Sequence, residues 1–178
     1  MGLDMYLQAK KYTSKYSKDK DLCLNDKIWE LCGIEKGDNL GSAEIILECG
    51  YWRKSNQIHN WFVENTQDGE DRNGESEVSR EQLIELKELC EKVVKILSEQ
   101  TRKKVMIKDR FSDKEFEHDI YEDTEEIKAL LPTREGFFFG GTEYDEYYLA
   151  DIEQTIEIIN KCLEDYDESW DFSYYASW

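Results

Sequence analysis

Two hydrophobic periods run through this 178-residue chain, and a fold built from one kind of element cannot satisfy both. Near the start, Leu3, Met5, Leu7 and Ala9 alternate with Asp4, Tyr6, Gln8 and Lys10, the two-residue repeat of a half-buried strand. Leu83, Leu86, Cys90, Val93, Val94 and Leu97 recur instead at helical spacing, and Ser79 with Gln82 forms a capping-box signature ahead of them. Ala43, Ile45, Leu47 and Cys49 read as a second strand, and Lys104 to Phe111 as a third, set at an edge by its flanking lysines. The aromatic tail, Trp170 to Trp178, suits a further strand. A short helix over Thr124 to Leu131 is closed by Pro132, and Tyr148, Ile152, Ile156, Ile159 and Leu163 stripe the last long helix. The pattern predicts an α+β fold. It is one compact domain over residues 1–178, with a small, mainly antiparallel sheet of about four strands packed by three main helices.

The stretch Tyr51 to Val63, YWRKSNQIHNWFV, holds one of two histidines among four aromatics. Wound as a helix following Gly50, it gathers Tyr51, Trp52, Ile58, Trp61, Phe62 and Val63 on one arc. Ser55 and His59 share that arc, while Arg53, Gln57, Asn60 and Glu64 take the solvent side. Trp52, Ser55, Asn56 and His59 then line one edge, with Arg53 and Lys54 at the first turn, where the positive dipole end favours an anion. His59 has three readings: a satisfied core histidine, a ligand-binding group, or a general acid or base.

A second candidate is GFFFGGTEYDEYY, Gly136 to Tyr148. Phe137, Phe138 and Phe139 cannot all face one side of a strand, so at least one ring meets another surface. Thr142 is placed to cap the next helix with Asp145 in support. In the functional reading Phe138, Phe139, Tyr144 and Tyr147 form an aromatic wall for a base or ring, and Arg134 is its counter-ion. In the structural reading the segment is a glycine turn with a helix cap.

Charge bounds the partners. Residues 109–171 hold 21 of the 41 acids and 5 of the 23 bases, so most of the net charge of −18 falls there. Such a field repels nucleic acid backbones and attracts basic surfaces; a solvated, solubilising face is the plainer account. His118, in FEHDIYED, reads as a surface residue with Glu117 and Asp119 as weak metal-site neighbours. The five cysteines include no C-x-x-C pair, which disfavours a zinc site or disulfide framework, and Cys90 and Cys162 fall on apolar helix stripes. No phosphate-binding, hydrolase-elbow or zinc-protease motif occurs, so no cofactor or metal is expected. No apolar run approaches a membrane span and no export signal opens the chain, which suits a reducing cytoplasm.

MGLDMYL, YWRKSNQIHNWFVENTQDG, VSREQL, the LPT…GFFFGGTEYDEYY segment and the Trp-ended tail resemble a group of uncharacterised proteins encoded by phages, prophages and some bacterial genomes. The resemblance runs almost end to end. Glu99 to Asp123 departs from it, being longer and more charged, and reads as a member-specific insertion over 99–123. The resemblance implies a mobile-element origin and action in the cytoplasm of a host cell, with counter-defence as a purpose.

Two functional classes are expected from these residues. One is a non-catalytic binding protein that sequesters a nucleotide-like small molecule or presses an acidic face on a basic host protein. The other is a small hydrolase or transferase on a phosphate-bearing substrate, with His59 as acid or base and Asp145 orienting it. A homo-oligomer is compatible with either.

Overall fold

The computed structural model describes residues 2–14, 16, 20–34, 41–108 and 115–178. Eleven elements follow in order: β1 (Asp4–Ser14), α1 (Lys20–Leu31), β2 (Ser42–Arg53), α2 (Asn56–Thr66), β3 (Glu75–Val78), α3 (Arg80–Ser98), β4 (Arg102–Lys108), β5 (Glu115–Tyr121), α4 (Glu125–Leu130), α5 (Glu146–Asp165) and β6 (Asp171–Ser177). The fold is α+β. Its main sheet has the order β2-β1-β6-β3, antiparallel throughout, and β4 pairs with β5 in a separate two-stranded ribbon.

Register explains the core. Leu7 stands beside Gly50 on one side and Tyr174 on the other, Met5 beside Trp52 and Ala176, and Ala9 beside Leu47 and Phe172. Apart from Leu47, which is exposed, these side chains or backbone positions are buried and join the apolar faces of α2, α3 and α5 in one cluster. Gly50 lets α5 approach closely: a Cβ there would lie 2.6 Å from the Ile158 methyl Cγ2. On the opposite face the same registers set Tyr51, Tyr6 and Tyr175 abreast, with ring centroids 5.3 and 6.0 Å apart.

The capping box at Ser79 forms in both directions, and Cys90 and Cys162 are buried on their helices. The aromatic tail is indeed a strand, but it lies inside the sheet, between β1 and β3.

One expectation needs correction. β2 does not stop at Gly50: it continues through Tyr51 and Trp52 to Arg53, because Tyr51 and Trp52 pair with Tyr6 and Met5 of β1. The helix therefore begins at Asn56, and Arg53 and Lys54 precede it. Beyond α2 the chain leads into β3, a four-residue strand whose partner β6 lies about a hundred residues on. Residues 99–123 include the β4–β5 ribbon; the strand expected over Lys104 to Phe111 is present from Arg102 to Lys108, its remainder lying outside the described residues. No helix among the described residues is long and apolar enough to cross a membrane.

Candidate functional site

Lys54, at φ +61°, turns the chain from β2 into α2. Its amide donates to the Leu3 carbonyl at 2.8 Å, which ties the turn to β1. Gly140, at φ +95°, passes so close that a Cβ would sit 3.1 Å from that of Lys54. Asn56 completes the seam. Its Nδ2 donates to the carbonyls of Phe139 (3.1 Å) and Gly141 (2.7 Å), and its Oδ1 accepts from the Arg134 amide at 2.9 Å. The glycine–phenylalanine segment thus faces α2 and is hydrogen-bonded directly onto its first turn.

His59 lies one turn further along and is fully buried. The Phe139 ring meets it edge-on at 5.1 Å, and the Trp178 ring lies 5.4 Å away. Nδ1 is 2.7 Å from the Tyr174 hydroxyl and Nε2 is 3.1 Å from Asp71 Oδ2. Burial holds the Tyr174 hydroxyl well above its ordinary pKa, so it keeps its proton and donates to Nδ1. Nε2 then carries the imidazole proton and donates to the Asp71 carboxylate. Burial also pushes the pKa of His59 down, against an upward pull from Asp71, with Arg134 adding to the lowering. The imidazole is neutral at neutral pH.

Arg134 closes the outer side, with Nη1 donating to Asn60 Oδ1 at 3.0 Å and Nη2 standing 3.6 Å from Asp71 Oδ2. Tyr174–His59–Asp71 has the connectivity of a nucleophile–base–orienter triad. Yet the Tyr174 oxygen is shut away from solvent, so the relay fixes β6, α2 and the loop before β3 to one another. Asp71 and Tyr174 escaped the sequence reading because neither lies near His59 in a recognisable spacing.

A second constellation forms where β5 meets α5. Asp145 is itself the N-cap of α5, accepting from the amides of Tyr147 and Tyr148 at 2.9 Å each; Thr142 lies outside the helix. The other Asp145 oxygen takes Nε2 of His118 at 2.6 Å. His118 is therefore not a free surface residue, and Asp145 orients His118 where the sequence reading had paired it with His59. The His118 ring lies parallel to that of Tyr147 at 6.3 Å, and both retain solvent access.

The remaining site candidates disperse. Arg53 is exposed and lies 3.8 Å from Asp4 on the outer sheet face. Phe137 is exposed, Phe138 half-buried, and Phe139 buried. Tyr144 is buried, its hydroxyl accepting from the Thr133 amide at 3.2 Å. Trp52 donates through Nε1 to Thr155 at 2.9 Å inside the core. Gln57, expected at the solvent side, is buried and donates to Asp151 Oδ2 at 3.1 Å. Burial raises Asp151 to about 6, although Gln57 and the buried Ser55 hydroxyl both favour its charged form. No group of three or more metal-binding side chains occurs among the described residues. No protein-family model matches this chain, and neither a curated protein nor a solved structure is significantly similar to it.

Proposed function

We propose that this is a non-catalytic binding protein that acts inside a host cell by engaging a basic protein through its acidic surface. The observation that carries the reading is the outer side of α5. Glu146, Glu153, Glu157, Glu164 and Asp165 are exposed there, and Lys161 is the sole base in the helix. Glu122, Asp123, Glu125 and Glu126, before and at the start of α4, add further exposed carboxylates. A like-charged surface of this kind steers a cationic partner into encounter and loses that effect as salt screens it. The close packing of the glycine–phenylalanine segment on α2 favours a protein partner over a nucleotide held between them. Host setting and counter-defence rest on the sequence resemblance.

Affinity capture from host extract, followed by mass spectrometry, tests the reading. Basic proteins should be retained at low salt, released by about 0.3 M NaCl, and captured more slowly by the Glu153→Gln/Glu157→Gln/Glu164→Gln variant. Partners that are neutral, or retained regardless of salt, would overturn it. The part-exposed His118, held by the buried Asp145, supports a second reading, a hydrolase or transferase on a phosphate-bearing substrate. Turnover of a nucleotide panel that vanishes in His118→Ala would establish that reading, and no turnover by the parent protein would end it.

A further inference from the structure

On the outer sheet face, meeting the tyrosine row where Glu75 pairs with Tyr175, a groove of about 930 Å³ opens along β2, β1, β6 and β3 and reaches the start of α3. Its size is that of a site for a sizeable ligand or a short peptide. Strand residues Glu44, Glu75, Glu77 and Asp171 line it, and Asp68, Glu81 and Glu168 close its rim. Against seven carboxylates stand two bases, both engaged within the protein. Lys10 binds Glu75, and the Arg80 guanidinium donates to the carbonyls of Leu163 and Tyr166 at the end of α5.

The groove also has aromatic walls. Tyr12 is 61% exposed, and Trp170 already holds a cation, with Lys11 Nζ 5.7 Å from its ring centroid. Ser173, only 2% exposed, lies on the wall with its hydroxyl lacking a well-formed hydrogen bond, near the Glu75 carboxylate, whose pKa Lys10 chiefly, and Ser173 to a lesser extent, hold down. Carboxylates, the exposed Tyr12 ring, a Trp170 ring that already accepts one cation, and an under-used buried hydroxyl together match the chemistry of a guanidinium or ammonium group.

We infer that this groove seats an arginine- or lysine-rich segment of the partner protein, its cations placed between the strand carboxylates and the rings of Tyr12 and Trp170. The inference rests on the basic-partner reading and locates the contact: the α5 surface speeds encounter, and the groove holds the bound segment. Five of its seven acids come from residues 1–108, which are nearly balanced in charge. The sequence-wide charge map therefore pointed away from it.

Fluorescence anisotropy with a fluorescein-labelled nonapeptide of alternating arginine and glycine tests the assignment on the full chain. In about 50 mM NaCl, Glu44→Gln/Glu77→Gln/Asp171→Asn should weaken binding at least about tenfold, chiefly through faster dissociation. The Glu153→Gln/Glu157→Gln/Glu164→Gln variant should change affinity less than about threefold, chiefly through association. Circular dichroism confirms that both remain folded. Equal weakening by the two variants would overturn the groove and leave the basic-partner reading standing. So would failure of the parent protein to bind the peptide while it still captures basic proteins from extract. Failure in both assays would remove both.

Discussion

His59 shows what one residue can disclose before a structure is known. Its place on the apolar arc of YWRKSNQIHNWFV leaves a core, a ligand-binding and a catalytic reading open, and it is fully buried. Its partners were not legible, because Asp71 and Tyr174 lie 12 and 115 residues away and meet it only once β6 enters the sheet. Asp151 escaped the reading for a related reason: its buried neighbours Ser55 and Gln57 come from the other long stretch of the core. Its folded-state pKa, raised from 3.8 to about 6, sets a definite sign. Below pH 3.8 the carboxyl is protonated in both states and carries no penalty. Between 3.8 and 6 the unfolded chain ionises first, so this group lowers stability as pH rises, and above 6 the penalty is complete. Asp151→Asn keeps an acceptor for Gln57 and removes the charge. The variant should gain about 1–3 kcal/mol over the parent at pH 7, with the gain shrinking toward zero by pH 4. Urea denaturation across that range measures it; a gain independent of pH, or a loss at pH 7, would refute the assignment. His59 acts in the opposite direction in both proteins. Its lowered pKa means that stability falls as pH drops below the unfolded value near 6.5.

At the scale of elements, α3 and its capping box were fully written in local sequence, whereas β2 was not. Tyr51, Trp52 and Arg53 fit a helical arc and a strand alternation equally well over so few residues. Pairing with β1 decides between them, placing Trp52 inward beside Met5 and Tyr51 outward beside Tyr6. β3 was hidden because ESEV offers one apolar inward residue, Val78, and a partner supplied from far along the chain. The start of α5 was half legible: a cap was expected, and Asp145 supplies it where Thr142 was preferred. Because the Asp145 carboxylate serves two helix amides and His118 together, its loss should exceed that of an isolated cap. Asp145→Ala is expected to destabilise by about 2–3 kcal/mol, against about 1 kcal/mol for Ser79→Ala. Equal midpoint shifts in parallel urea titrations would mean that the His118 contact contributes nothing.

The whole molecule carries a net charge of −18 on 178 residues, and this self-repulsion acts on the compact state more than on the expanded one. Raising NaCl from about 20 to 300 mM should therefore raise Tm by roughly 3–6 °C, on the order of 1–2 kcal/mol. A flat or falling Tm would mean that local ion pairs, such as Lys104–Glu117 and Lys87–Glu91, outweigh the overall field. The α+β class was legible at this scale, since two periodicities demand two kinds of element. The order β2-β1-β6-β3 was not, because nothing local announces that a late strand fills a central place. That placement bears on how the molecule is made. β1 leaves the ribosome early, yet its second edge has no mate until residue 171 emerges, roughly 10–30 s later at ordinary rates of synthesis. Through that interval Leu3, Met5 and Leu7 sit beside an open hydrogen-bonding edge, and β3 has no strand beside it. The sheet therefore stays open on one side of β1 and closes as a unit only when β6 arrives.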